Sequence, residues 1–291
     1  MYELVKLGKN TYYINAFCNV GVYVNGTDAT LIDSGLDDDN AVIIDDLLKK
    51  EGLLVKNIII THAHADHIGS SRYFVDKYNA TVLCTKADTA IANISILNTS
   101  LIYGGLPSNI AKGKMLYAKP CKAIEITKDN LPKGLEIVDL KGHSISMIGV
   151  KTDDNVLFVA DSVISEKTIQ KFPLTYLLNV NEYLSSMDKI ISINADYYVP
   201  SHAEVTTDIA PLISLNKQAV QKNIDDILSV MTKPIEIGDL VFEYAKKFGY
   251  VLKTSQFFVV TTTIKNYLAH LESEGKVKAY IENNRLFWEK L

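Results

Sequence analysis

The sequence lacks long apolar runs and paired cysteines. Its longest apolar stretches, such as residues 156–160, have the length of a strand and are far too short to cross a bilayer. The three cysteines, Cys18, Cys84 and Cys121, are widely spaced and odd in number, so the chain contains neither a disulfide framework nor a CxxC pair. We expect three reduced thiols in or near a core.

The sequence also lacks a strong excess of either charge. Its 30 Lys and Arg against 34 Asp and Glu give a net charge of −4, which neither recruits nucleic acid nor strongly repels it. The first residues carry a charge every few positions and no apolar run of signal-peptide length. Together with the unpaired cysteines, this predicts a cytoplasmic protein without membrane association.

Short strand-like segments alternate with helix-like segments through most of the chain. Residues 38–51 carry apolar side chains at helical spacing, and residues 55–60, which end in three consecutive isoleucines, are predicted to form a strand buried on both faces. The alternation returns from residue 123 and ends in a long predicted helix over residues 206–231. Two β/α halves of this kind predict an α/β fold in which two sheets pack together with helices outside.

Residues 93–122 interrupt this alternation. Gly104, Gly105, Pro107 and Gly113 are scattered through them, which favours a loop or an irregular insertion. Loops often determine the specificity of a fold. The candidates for substrate contact are Tyr103, Lys114, Tyr117 and Lys119 in this insertion, and Phe172, Pro173 and Tyr176 after it.

The character of the sequence changes after Lys233-Pro234. Two predicted helices, the second ended by Gly275, precede two strands that flank the turn sequence Glu282-Asn283-Asn284-Arg285. Helix, helix and hairpin in this order outline a winged helix. We therefore predict a catalytic domain over residues 1–232 and a small winged-helix-like domain over residues 233–291.

The segment from Thr61 to His67 contains the strongest candidates for metal ligands. It reads Thr-His-Ala-His-Ala-Asp-His and directly follows a predicted buried strand. Three imidazoles and a carboxylate cannot all be apolar filler there, because unpaired buried polar groups are costly. Imidazole nitrogen and carboxylate oxygen are ligands that suit Zn²⁺ and other first-row divalent ions.

Further candidate ligands follow other predicted strands. His143, Asp161 and His202 each stand at or just after the end of an apolar run. Because strand ends meet along one edge of a sheet, we expect these side chains to converge with the histidine-rich segment. The sixth histidine, His270, falls in a C-terminal helix, where we expect it on the surface.

The ordered motifs resemble those of the metallo-beta-lactamase superfamily, and the resemblance covers roughly residues 1–230. It implies an αββα sandwich of two mixed β-sheets flanked by helices, in a hydrolase similar to glyoxalase II and the lactonases. The motifs are Asp33-Ser34-Gly35, His-x-His-x-Asp-His at residues 62–67, Gly142-His143-Ser144, Ala160-Asp161-Ser162 and Ser201-His202-Ala203.

The resemblance implies a site for two divalent metal ions, with zinc expected and iron or manganese as alternatives. Carried over residue by residue, it divides the ligands into three groups: His62, His64 and His143 for the first ion; Asp66, His67 and His202 for the second; and Asp161 as the bridge between them.

The implied chemistry is hydrolysis by a hydroxide that bridges the two metals. Asp66 would orient this hydroxide and pass a proton to the leaving group, and Asp33 would orient the histidines from outside the ligand set. This machinery acts on several kinds of bond, so the fold alone does not name the substrate. We expect a small-molecule ester, thioester or lactone.

Two departures from the family pattern bear on this interpretation. Ile145-Ser146-Met147 stands where a Pro-Gly turn is usual, so we expect a different loop shape after the ligand His143. His64 stands where the related diiron flavoproteins have Glu, which argues against their oxygen chemistry. Three alternatives stay open: a nuclease acting on RNA or DNA; a persulfide-dioxygenase-like enzyme with one iron on His62, His143 and Asp161; and a non-catalytic binding module.

The charge of the C-terminal segment bears on its partners. From Pro234 onward there are eight Lys and Arg against seven Asp and Glu, whereas phosphate binding by a basic face needs a clear excess. We therefore expect packing, homodimerisation or covering of the active site rather than nucleic-acid binding.

Overall fold

The computed structural model describes residues 2–109 and 114–291. Strands and helices alternate through the first half. The strands are β1 (Glu3–Lys6), β2 (Thr11–Asn15), β3 (Val20–Asn25), β4 (Asp28–Ile32), β5 (Leu54–Ile59), β6 (Thr81–Cys84) and β7 (Ile124–Glu125); the helices are α1 (Asp38–Lys50), α2 (Ala65–Ile68), α3 (Ser71–Tyr78), α4 (Lys86–Asn93) and α5 (Ile96–Tyr103), with a 3-10 helix at Lys114–Leu116.

The second half begins with two antiparallel strands and ends in a β-hairpin. In chain order its elements are β8 (Leu135–Asp139), β9 (Ile148–Thr152), β10 (Val156–Ile164), α6 (Glu166–Lys171), α7 (Val180–Ser192), β11 (Tyr197–His202), α8 (Ala210–Val230), α9 (Ile237–Phe248), α10 (Thr254–Ser273), β12 (Val277–Glu282) and β13 (Arg285–Lys290).

The strands form two main sheets and a separate hairpin. The first sheet has the order β1-β2-β3-β4-β5-β6-β7, antiparallel as far as β4 and parallel from β4 to β7. The second has the order β11-β10-β9-β8, in which β10 and β11 are parallel and the other pairs antiparallel. The parallel strands β4, β5 and β6 bring their carboxyl ends to one edge.

Three apolar clusters fill the spaces between the layers. Between the sheets, Ile59 and Leu83 of the first sheet belong to one cluster with Phe158 of the second. A second cluster joins the other face of the first sheet to α1 and α3, and a third joins the other face of the second sheet to α7 to α10. The predicted αββα sandwich is therefore confirmed.

Helix α1 illustrates how local sequence places an element. Asp37 caps it by accepting a hydrogen bond from the backbone N–H of Asn40 at 3.0 Å. Acidic residues occupy its first turn and Lys49 and Lys50 its last, which complements the helix dipole. The observed start at residue 38 is the predicted one.

The insertion at residues 93–122 is more regular than predicted, because it contains helix α5. Gly104, which we interpreted as part of a loop, has a φ of +81° and ends this helix. Gly113 lies outside the described residues. The prediction of an irregular segment was wrong for residues 96–103, because the buried side chains of this helix, Asn98, Thr99 and Ile102, are mostly polar and give no periodic apolar signal.

The C-terminal segment has the predicted order of two helices and a hairpin. Asn283 and Asn284 of the hairpin turn both have positive φ, which a two-residue turn of this kind requires. Tyr244 and Tyr267 are fully buried in one cluster with Met187 of α7. The boundary at residue 232 and the winged-helix-like character of the segment stay predictions.

His270 is not on the surface, so that prediction was wrong. It is 7% exposed, and its Nδ1 lies 2.7 Å from the side-chain oxygen of Asn181. Helix α10 packs against α7, which covers the face of α10 that carries His270. In the described part of the chain, no helix is both long enough and apolar enough to span a membrane.

Candidate metal centre

The segment from Thr61 to His67 leaves β5 and is held by Asp33, which follows β4. One oxygen of Asp33 accepts a hydrogen bond from the backbone N–H of Thr61 at 2.8 Å. The other accepts from the Thr61 hydroxyl at 2.8 Å and lies 2.8 Å from Nδ1 of His67. Asp33 is 1% exposed and has a φ of +62°, uncommon for a residue other than glycine. These contacts match the predicted orienting role of Asp33.

Three imidazoles, those of His62, His64 and His143, converge on one point. Nε2 of His62 and Nε2 of His143 each lie 3.0 Å from Nδ1 of His64. Nδ1 of His62 faces the Thr61 hydroxyl at 3.1 Å, which leaves its Nε2 for the shared point. Zinc–nitrogen bonds of about 2.0–2.1 Å place two ligand nitrogens roughly 3.3 Å apart, so this first group suits one tetrahedral ion.

A second group forms around the carboxylate of Asp66. Nε2 of His202 lies 3.2 Å from one oxygen of Asp66, and Nε2 of His67 lies 3.9 Å from the other. Nδ1 of His202 donates to the backbone carbonyl of Phe17 at 3.0 Å. Because Nδ1 of each ring is engaged outside the group, Nε2 is the nitrogen available to a metal ion.

Asp161 lies between the two groups. Its Oδ2 is 3.4 Å from Nε2 of His143 and 3.6 Å from Nε2 of His202, and its Oδ1 is 3.4 Å from Nε2 of His67. We expected a strand that ends at residue 160, but β10 continues to Ile164. Its pairing with β11 shifts register on both sides of Ala160, whose φ is +50°. This irregularity, and not a strand end, stands beside Asp161.

The first group is electrically neutral at neutral pH. Burial lowers the pKa of His143 to about 3 and that of His64 to about 4, and it holds the pKa of His62 well below its ordinary value. The three rings therefore offer unprotonated nitrogens, which are the form that binds a metal ion.

The second group is charged. Burial opposes protonation of His202, but the carboxylates of Asp161 and Asp66 outweigh it and raise the pKa of His202 to about 9. For Asp66, burial on its own would raise the pKa, but His67 and His202 outweigh it and lower the pKa of Asp66 to about 2. A metal ion that binds here would displace protons from the two imidazoles.

The donor set fits divalent metal ions. In the described part of the chain, Oδ1 of Asp161 is buried and has no hydrogen-bond partner, an arrangement that is costly unless a cation or water satisfies it. The candidate ligand atoms fall into groups within 4.8 Å of one another. The seven residues predicted from the sequence are all brought together; their assignment to individual metal ions stays a prediction.

One residue of the centre was missed, the thiol of Cys18. Its Sγ lies 3.7 Å from Nδ1 and 3.8 Å from Nε2 of His67, so it packs against that ring. Burial raises its pKa to about 12, which keeps the thiol neutral. A lone cysteine carries no motif, so the sequence offered no signal; all three cysteines are free and buried, as expected.

Among the predicted substrate-contact residues whose side chains the structure describes, Tyr176 contacts the centre. Its ring lies edge-on to His64 and His143, with centroids 5.7 and 5.9 Å away. Burial raises its pKa to about 12, so its hydroxyl is protonated at neutral pH.

The other candidates contact different parts of the protein or solvent. Tyr103 packs against Phe258 of α10 with ring centroids 4.8 Å apart and the rings tilted, and Lys119 pairs with Asp38 of α1. Tyr117 and Phe172 are exposed. Pro173 is half-buried, and its backbone carbonyl is bound by a side chain of α8. The side chain of Lys114 lies outside the described residues.

The family model of the metallo-beta-lactamase superfamily matches residues 14–202, from β2 to the last predicted ligand. The chain belongs to the metallo-beta-lactamase superfamily. Membership of this superfamily, together with the two groups of candidate metal ligands, identifies the chain as a metal-dependent hydrolase.

Similar proteins support this superfamily assignment. The beta-lactamase-like protein 2 homolog of Drosophila melanogaster is 22% identical over 277 residues, which cover 93% of this chain and 84% of that protein. A hydroxyacylglutathione hydrolase of Prochlorococcus marinus (strain MIT 9312) is 24% identical over 201 residues, 68% of this chain and 70% of that one.

Solved structures share the superfamily fold. A beta-lactamase domain protein from Burkholderia ambifaria superposes with a TM-score of 0.73 at 14% identity, covering 99% of this chain and 94% of that one. A metallo-beta-lactamase family protein from Thermus thermophilus superposes with a TM-score of 0.68 at 17% identity, covering 100% and 98%. At such identities the likeness concerns the fold alone.

Proposed function

We propose that this chain hydrolyses a small-molecule ester, thioester or lactone with two divalent metal ions, expected to be zinc. The observation that carries the proposal is the position of Asp161, whose two oxygens lie within 3.6 Å of imidazoles from both groups. A carboxylate so placed suits two cations better than one. The similarity to hydroxyacylglutathione hydrolases makes a thioester the first substrate to test.

The residues of the centre divide the chemical work. When bound, divalent ions supply a Lewis acid for the scissile carbonyl and activate a water molecule. Asp66 is ionised at neutral pH, so it can accept a proton from the attacking water and deliver it to the leaving group. Asp33 keeps His67 in place, and the Phe17 carbonyl does the same for His202.

Metal analysis tests the number and kind of ions. We expect close to two first-row metal ions per chain, because seven candidate ligands exceed the needs of one ion. His67→Ala should reduce this to about one, while leaving the ion at His62, His64 and His143. One iron per chain, unchanged in His67→Ala, would support the dioxygenase alternative instead.

A substrate panel tests the reaction. The metal-loaded protein is assayed on a p-nitrophenyl ester, a hydroxyacylglutathione thioester, a lactone and bis-p-nitrophenyl phosphate, with chelated protein as the blank. We expect the highest kcat/KM on one of the three carbonyl substrates. A higher kcat/KM on the phosphodiester would overturn the proposal in favour of a nuclease.

A further inference from the structure

Tyr176 has an unpaired polar group beside the first metal group. The residue is half-buried, and its ring contacts the imidazoles of His64 and His143. Its hydroxyl has no hydrogen-bond partner within residues 2–109 and 114–291. The ring that carries this unpaired hydroxyl therefore lies next to the candidate metal centre, and the hydroxyl is free to bind a ligand.

The loop that carries Tyr176, residues 172–179, is bonded directly to the His143 loop. The backbone N–H groups of Leu178 and Asn179 both donate to the carbonyl of Gly142, at 2.9 Å each. Gly142 has a φ of +122°, and a Cβ there would lie 2.1 Å from the backbone nitrogen of Tyr183. Only glycine allows this close approach, so the position of Tyr176 relative to His143 is defined by the backbone.

The other side of the Tyr176 loop is hydrogen-bonded to α10 and α8. The side chain of Asn266 in α10 donates to the carbonyl of Leu177 at 2.7 Å. Asn223 of α8 donates to the carbonyl of Pro173 at 3.0 Å. A continuous chain of hydrogen bonds thus runs from α10 through Leu177, next to Tyr176, to the residue before His143.

We propose that the Tyr176 hydroxyl donates a hydrogen bond to the substrate oxygen that gains negative charge beside His64 and His143, and that Asn266 is a positioning residue for Tyr176. The inference rests on the proposed hydrolytic function. A donor already placed where charge develops lowers the barrier most, because it needs no reorganisation during the reaction. The C-terminal segment would then contribute to the active site through α10.

Paired variants test the proposal. Tyr176→Phe removes only the hydroxyl and should lower kcat/KM for the thioester by about 10²-fold, with the metal content unchanged. Asn266→Ala should lower it by about tenfold, because it displaces Tyr176 without removing it. If Asn266 acts through Tyr176, Asn266→Ala should have no further effect in the Tyr176→Phe background. Tyr244→Phe, which removes a hydroxyl from the core of the C-terminal segment, is the control and should match the wild type.

Binding of methylphosphonate, a tetrahedral anion, to the cobalt-loaded protein separates this proposal from the proposed function. The visible spectrum of cobalt reports binding, and Tyr176→Phe should raise the Kd by about tenfold, the loss of one hydrogen bond. If the wild type prefers a phosphodiester, the proposed function fails, and the role of Tyr176 is tested by comparing the variants on that substrate. If the wild type turns over none of the substrates, the Kd for methylphosphonate alone tests the role of Tyr176. If Tyr176→Phe keeps the kcat/KM of the wild type, the role of Tyr176 is overturned. For a wild type without turnover, an unchanged Kd in Tyr176→Phe overturns it. Additive losses in the double variant overturn the role of Asn266.

Discussion

Asp66 and Asp161 are carboxylates of the same centre, but their surroundings differ. Asp66 contacts imidazoles of the second group only, His67 and His202, whereas Asp161 also contacts His143 of the first group. The first position suits a residue that exchanges protons with water and substrate. The second suits a residue that balances the charge of two cations.

Asparagine substitutions distinguish these two roles. Asp66→Asn should lower turnover by about 10²–10⁴-fold, because an amide cannot accept the proton. It should keep the fold and the metal ion of His62, His64 and His143. Asp161→Asn should instead lower the occupancy of both metal positions. Turnover and metal content are measured on the same preparations.

The assignment of Asp66 depends on the first of these variants. Turnover close to that of the wild type in Asp66→Asn would show that Asp66 does not handle a proton, and the proposed mechanism would have to be abandoned. Full metal occupancy in Asp161→Asn would equally contradict its bridging position.

At the scale of elements, Asp45 joins α1 to α3. The residue is 2% exposed, and its carboxylate accepts hydrogen bonds from Lys77 at 2.6 Å, Tyr78 at 2.5 Å and Tyr73 at 3.0 Å, all on α3. Burial alone would raise the pKa of Asp45, but hydrogen bonds from Lys49 and Lys77 outweigh it and lower the pKa to about 2.

This shift predicts how stability depends on pH. The folded pKa of about 2 lies below the unfolded value of 3.8, so the contribution is complete above about pH 4 and is lost as the pH falls towards 2. We expect Asp45→Asn to lower the free energy of unfolding by roughly 1–2 kcal/mol at pH 7, a value reduced for the exposed lysine partners. The difference from the wild type should shrink at pH 3.

Urea unfolding at both pH values measures this effect. Asp46→Asn, on the exposed face of the same helix, is the matched control and should change stability little at either pH. A deficit in Asp45→Asn that stays constant between pH 7 and pH 3 would mean that the charge of Asp45 is not the source of the stabilisation.

At the scale of the molecule, the C-terminal helices share one apolar core with the second sheet and its helices. Tyr267 and Leu268 of α10 are fully buried in the cluster that contains Met187 of α7 and Ile227 of α8. The segment also contacts the insertion, where the Thr262 hydroxyl donates to the carbonyl of Ile102 at 2.5 Å.

Deletion of residues 233–291 should therefore destabilise the rest of the chain. The deletion exposes the apolar faces of α7 and α8, and each large buried side chain that returns to water costs about 1.5–3 kcal/mol. We expect aggregation or a strongly lowered Tm for the truncated chain. Deletion of the hairpin alone, whose side chains are largely half-buried or exposed, should cost less. A soluble 1–232 chain with the Tm of the full protein would instead show an independent catalytic domain.

Nucleic-acid binding by the C-terminal segment should be weak. Its eight basic against seven acidic residues can neutralise few phosphates, so the salt-dependent part of the binding energy is small. Filter binding or fluorescence anisotropy with RNA and duplex DNA should give a Kd above micromolar at physiological salt. Sub-micromolar binding would favour the nuclease alternative.

Local features of the sequence sufficed for the class of fold and for the residues, apart from Cys18, that converge at the candidate metal centre. Apolar periodicity predicted two packed sheets with helices outside, because each strand and helix buries one face or stripe, and the family resemblance implied the αββα sandwich. The segment at residues 62–67 and the histidines at 143 and 202 stand next to strands, so chain order alone predicted that they meet. Sequence signals of this kind are strong because they repeat at fixed spacing or cluster within a few residues.

Only the tertiary structure decided which distant side chains support that centre. Cys18 lies against His67, Tyr176 against His64, and Asn266 binds the carbonyl of Leu177. Each contact joins residues far apart in the chain, and in each at least one member lies outside any periodic pattern or motif. The burial of His270 has the same origin, since it depends on the packing of α10 against α7 and not on the sequence of α10 itself.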